Sequence, residues 1–267
     1  MSALMQRRLT PHDLNELVAG APRDVVQISD AHRASLASRF RAVPVRDHRR
    51  LDAWMVEQAG RPPGPFAWSP ATARRILGNR ALHRALATSD TLLSAVRDEV
   101  AEQLLRAVKG YARPGSLGHW LAGVPHPVLG LITAEAVNWA TQGLDIAEGL
   151  EATCHVASSD LYYDVAGART TLRGRRDLVA DTGDGPVLLR IRSGQPGKSA
   201  GPGLRSDLVV ATLAHREGLA PRRYLGLWPD AGIVLGVDAT MENVRAGARD
   251  FVRAAVAQRR HVLARAA

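Results

Sequence analysis

The side chains with the most chemistry to offer lie between Thr170 and Gly194, in TTLRGRRDLVADTGDGPVLLRIRSG. Asp177 is a carboxylate near the end of one apolar run, and Arg190 and Arg192 stand two residues apart in the next. On a strand that spacing sends both guanidiniums to one face. A carboxylate set against two guanidiniums can form an internal ion pair, or the arginines can clamp a phosphate. A guanidinium stays protonated at any working pH and repels a divalent cation.

Positioning these groups requires a hairpin. Thr171, Leu172, Leu178 and Val179 mark its first strand and Val187 to Ile191 its second. Thr182-Gly183-Asp184-Gly185 supplies the turn, with glycines where positive φ is needed. Between Thr171 and Arg205 seven basic side chains (Arg173, Arg175, Arg176, Arg190, Arg192, Lys198, Arg205) face Asp177, Asp181 and Asp184. Arg173, Arg175, Arg190, Arg192, Lys198 and Arg205 are therefore the expected contacts to a nucleic-acid backbone.

This layout resembles the core of the PD-(D/E)XK nuclease superfamily, in its RecB-like exonuclease branch. That pattern is G-R-x-D, a hairpin, then acid-x-Lys-x-Gly. Gly174-Arg175-Arg176-Asp177 fits the first half, and Arg190-Ile191-Arg192-Ser193-Gly194 stands where the second belongs. The second metal-binding carboxylate has become Arg190 and the lysine Arg192. The resemblance implies a further acid or histidine on the first core helix, where Glu135 is the candidate and His126 lies just upstream. It also implies Gln-x-x-x-Tyr on the helix after the core, where Asp207 and Ala211 stand instead. Mg²⁺ held by clustered carboxylates would supply the hydrolytic water. With Glu135, Asp177, Arg190 and Arg192 as a vestigial site, no metal or other cofactor is expected. Mg²⁺ or Mn²⁺ enters only if Glu135 and Asp177 still form a divergent nuclease site.

The formal charge of +9 suits a polyanionic partner, although nearly all of it is arginine in an Ala- and Gly-rich chain, as genomic GC bias also produces. One cysteine, Cys154, excludes an intramolecular disulfide framework. No apolar leader segment opens the chain, and its longest apolar run, Val128 to Ala134, is too short to span a bilayer. The chain reads as cytoplasmic, with no membrane partner. Gly194 to Ser199 ends like a phosphate-binding P-loop but lacks its glycine spacing and continues through Gly201-Pro202-Gly203 as a loop, so no NTP is expected.

Residues 1–112 read as successive helices. Thr10-Pro11 and Ser29-Asp30 open the first two, a third covers about Arg46 to Gln58, and Ser69-Pro70 and Ser89-Asp90 start two more. Leu92, Val96, Val100, Leu104 and Val108 form an apolar stripe. Arg113-Pro114-Gly115 marks the boundary to an α/β domain over residues 113–267. There a helix covers Val128 to Gln142, Leu144 to Val165 is strand-like, and the hairpin follows. Then come a helix over Leu204 to Glu217, a strand pair around Pro229 to Gly232, and a helix over about Thr240 to Leu263 with Val244, Phe251, Val252, Val256 and Val262 inward.

The expected fold is α/β, a PD-(D/E)XK-like mixed sheet flanked by helices, with a helical N-terminal half. The expected function is that of a pseudo-nuclease that binds DNA, or of a structural subunit beside a helicase or active nuclease in DNA processing or defence. The competing readings are a divergent metal-dependent deoxyribonuclease and a protein-interaction module that binds no nucleic acid.

Overall fold

The computed structural model describes residues 4–24, 26, 28–42, 49–58, 67–88, 91–157, 160–215 and 220–266. The chain forms two units, Met1–Pro63 with Leu150–Ala267, and Gly64–Gly149. The expected break at 112–113 falls inside the second unit.

The chain opens with strand β1 (Met5–Arg8), then helices α1 (Pro11–Ala19) and α2 (Asp30–Arg41). Thr10 caps α1, its hydroxyl accepting the Asp13 N–H at 3.1 Å and donating to the Asp13 carboxylate at 2.7 Å. Where one helix was expected from Arg46 to Gln58, residues 43–48 lie outside the described set, and strand β2 (Arg49–Asp52) precedes a short helix α3 (Ala53–Glu57). Pairing overrides local helix preference here, because β2 in parallel register with a later strand buries Leu51.

The second unit holds α4 (Pro70–Thr88), α5 (Leu92–Val108), α6 (Leu117–Ala122) and α7 (His126–Glu148). Its core joins Ala73, Leu77 and Ala81 of α4 to Val96 and Val100 of α5 and to Ile132 and Ala136 of α7. Gly118 lets α6 lie against α5, since a Cβ there would fall 2.5 Å from the Gln103 carbonyl oxygen. The expected stripe holds for Val96 and Val100, whereas Val108 is exposed.

The first unit then resumes with β3 (Thr153–Val156), β4 (Leu161–Asp164), β5 (Thr170–Gly174), β6 (Leu178–Asp181) and β7 (Pro186–Ile191). Helix α8 (Ala200–Ala214), β8 (Arg223–Trp228), β9 (Ile233–Asp238) and α9 (Met241–Ala266) complete it. These strands make a six-stranded sheet ordered β1-β9-β8-β7-β6-β3 and a three-stranded sheet ordered β2-β5-β4. In the larger sheet only β7 and β8 pair in parallel, as the α8 crossover between them requires. The protein is thus α/β with mixed sheets. Among the described residues no helix is long and apolar enough to cross a membrane.

Three further expectations are corrected. The first hairpin strand is two strands in two sheets, β5 in the smaller and β6 in the larger, with Arg175 to Asp177 belonging to neither strand between them. The glycine-rich segment from Ser193 is not loop throughout, because α8 begins at Ala200 and takes Gly201-Pro202-Gly203 into its first turn, where proline is tolerated. Val256, expected to face inward on α9, is exposed, while Val244 and Phe251 are buried.

Helix α8 is buried on nearly every side. Leu204, Leu208 and Ala211 pack towards the six-stranded sheet with Leu188 and Tyr224. Val209, Val210 and Leu213 join Leu51, Leu172, Val244 and Phe251 in a second core. It is the shared wall between the two sheets.

Candidate functional site

Alternation along β7 decides where the arginines go. Leu188 packs under α8, so Arg190, two residues on, leaves the same face. It therefore lies beneath a helix and not in solvent. Its guanidinium donates to the Asp207 carboxylate of α8, with Arg190 only 5% exposed and Asp207 wholly buried. Burial is the largest single influence and works against the cation, but the attractions of Asp207, Tyr224, Glu57 and Asp177 together outweigh it. The guanidinium's pKa ends above its ordinary value.

Asp207 also accepts the backbone N–H of Arg175 at 2.9 Å, and the Tyr224 hydroxyl donates to the Arg175 carbonyl oxygen. These two bonds satisfy the backbone where the chain leaves one sheet for the other. Gly174 precedes that seam because α8 passes close. A Cβ there would lie 2.9 Å from Cβ of Val210.

Asp177 lies on the other side of the seam. Its N–H donates to the Leu189 carbonyl at 2.9 Å, and its carboxylate accepts the Ile191 N–H at 2.8 Å. It therefore works as a backbone brace between the bend and β7. Arg192 donates to Glu57 at the end of α3 and lies with its Cζ 5.0 Å from the Trp228 ring centroid. Arg173 bridges Asp160, with Nε at 2.9 Å, and its cross-strand neighbour Asp52, with Nη1 at 3.3 Å. Arg205 pairs with Asp250 of α9 at 3.1 Å.

Of the six residues expected to touch nucleic acid, Arg190 is thus closed off by Asp207, and Arg173, Arg192 and Arg205 hold carboxylates of the chain itself. Lys198 is exposed in the loop before α8. Arg175 differs again. Burial, and then repulsion from Arg190 and Arg173, lowers its pKa. Burial likewise lowers the pKa of Arg176, and the Nε atoms of both arginines are buried without an acceptor. Asp160 and Asp52 attract Arg175 electrostatically, but among the described residues neither Nε finds an acceptor.

Glu135 sits in the other unit, on α7, 3.6 Å from Arg74 of α4. His126 is the first residue of that helix. A divalent cation fits the core poorly. The acid expected on β7 is a buried guanidinium, and the Asp177 carboxylate already accepts a backbone N–H.

Asp207, Glu57 and Tyr224 completed the site and were missed as partners. For Asp207 a signal existed, since it is the one acid in the otherwise largely apolar AGPGLRSDLVVATLA, and a buried carboxylate needs a partner. Glu57 carried none, being remote in sequence from Arg192.

No protein-family model matches the chain, and no curated protein matches it. Among solved structures, one titled "Crystal structure of SSO0001" is similar at 12% identity and a TM-score of 0.31. The match covers 84% of this chain and 86% of that one.

Proposed function

We propose that the chain is a catalytically degenerate RecB-like nuclease-fold protein that contacts DNA, or serves as a structural subunit of a DNA-processing or defence complex, without cutting DNA. The observation that carries this reading is the Arg190–Asp207 pair. Where the resemblance calls for a metal-binding carboxylate on β7, a cation is built in, buried and neutralised by the crossover helix. The β6–β7 hairpin followed by the α8 crossover to β8, with β7 and β8 parallel, supports the PD-(D/E)XK-like core. DNA contact is supported by Arg175 and Arg176, whose Nε atoms find no acceptor among the described residues, and by exposed Lys198.

The test combines Mn²⁺ and Mg²⁺ calorimetry, cleavage assays on single-stranded and duplex oligonucleotides, and DNA binding by anisotropy. The expected result is DNA binding that weakens with salt and no cleavage in either metal. Metal-dependent cleavage lost in Asp177→Asn would overturn the proposal.

A further inference from the structure

Away from the sheets, a cavity of about 420 Å³ lies between α2 and α9, wholly within the first unit. Its lining is divided by chemistry. Ile28, Leu36, Met241 and Val244 make an aliphatic floor, and Arg39 and Arg245 stand exposed at the rim. His32 fixes one of these arginines. Its Nε2 lies 2.9 Å from Nη2 of Arg245, and its Nδ1 lies 2.8 Å from the Ser29 hydroxyl at the α2 N-cap. A guanidinium only donates, so Nε2 accepts and the proton resides on Nδ1, facing Ser29. Arg245 is thereby held at the rim by a neutral partner, which leaves its charge uncompensated by that contact.

We infer that this groove docks a short acidic segment of a partner protein, with aliphatic side chains on the floor and carboxylates on Arg39 and Arg245. The inference deepens the proposed role as a subunit and rests on it. Charge complementarity selects an acidic occupant, and guanidiniums bind carboxylates with bidentate geometry. The floor selects a peptide over nucleic acid. Among the described lining residues there is no Phe, Tyr or Trp for a base to stack on, and the His32 ring is engaged by Arg245 and Ser29, whereas pockets for alternate aliphatic side chains are how grooves read amphipathic peptides. Asp30 and Glu242 begin the two helices and are the nearby acids in sequence. Arg249, exposed one turn beyond Arg245, extends the cationic side.

The test uses the full chain and a fluorescein-labelled peptide, EDLLDELLE, in anisotropy titrations at 150 mM KCl. The controls are KKLLKKLLK and a 20-base-pair duplex. The acidic peptide is expected to bind at least tenfold more tightly than the basic one. Arg39→Glu with Arg245→Glu should weaken it at least tenfold. Ser35→Trp, a change at an exposed α2 position lining the cavity, should do the same by filling it, with the circular-dichroism melting curve unchanged. No binding of the acidic peptide, or binding indifferent to both variants, overturns the inference. Duplex DNA that displaces the peptide and loses its own binding in the same variants also overturns it, and makes the groove a nucleic-acid surface. DNA binding untouched by these variants leaves the proposed function standing whichever way the peptide result falls.

Discussion

Breaking the Arg190–Asp207 pair should reveal how the core is held. Arg190→Met removes the cation and leaves the wholly buried Asp207 with the Arg175 N–H as its remaining hydrogen-bond donor in the site. Removing one partner of a buried ion pair costs about 3–5 kcal/mol, because the surviving charge keeps its desolvation penalty without its compensation. Asp207→Asn keeps an amide oxygen for the Arg175 N–H but strands the Arg190 charge, with a penalty of about the same size. The double variant strands neither charge, so its cost should fall short of the sum of the singles by about 2–3 kcal/mol. In urea, with m of roughly 2 kcal/mol/M, each single substitution lowers the unfolding midpoint by about 1.5–2.5 M. The assay is urea unfolding followed by circular dichroism for the four species of the cycle. Single variants within about 1 kcal/mol of the parent, with additive effects, would refute the reasoning and make the pair incidental.

Gly247→Ala should destabilise by more than about 2 kcal/mol in the same assay, although alanine normally gains about 1 kcal/mol over glycine in a helix. Its Cβ would lie 2.4 Å from the Arg205 carbonyl oxygen where α9 crosses α8, and a stabilised variant would show that the helices can separate. Burial pushes the Cys154 thiol up to about 11, so iodoacetamide at pH 8 should modify it about a hundredfold more slowly than a free thiol, with the rate climbing as pH approaches 11. Alkylation at the free-thiol rate would contradict that. If DNA binds, Arg175→Gln with Arg176→Gln should flatten the log–log salt dependence by about 2, whereas Arg192→Gln should leave it unchanged because Glu57 already engages that cation. Equal effects of the two changes would sink the distinction between engaged and unengaged arginines.

Local chemistry was legible where a single turn or cap decides the structure. Thr10 and Ser29 cap the helices they precede, and Gly183 and Gly185 take φ of +77° and +142° in the β6–β7 turn. The shared face of Arg190 and Arg192 also followed from alternation alone. What covers that face did not, because α8 arrives by a crossover and α3 from the distant N-terminal segment. The start of α8 was obscured by Gly201-Pro202-Gly203, which has loop composition. Its glycines answer to tertiary crowding, since a Cβ on Gly203 would lie 2.0 Å from Oε1 of Glu57. The break between β5 and β6 was equally hidden. It depends on Asp207 and Tyr224 taking the hydrogen bonds that a continuous strand would have made.

The division of the first unit into two chain segments has a consequence for synthesis. On the ribosome, Met5 of β1 emerges long before its partner Gly236 on β9. Leu51 of β2 likewise waits for Leu172 of β5. Between these times residues 64–149 emerge as a run whose core contacts are all available locally, so that helical unit can fold while the N-terminal strands remain unpaired. The larger sheet is complete only once β9 is made, and until then β1 waits without its partner strand.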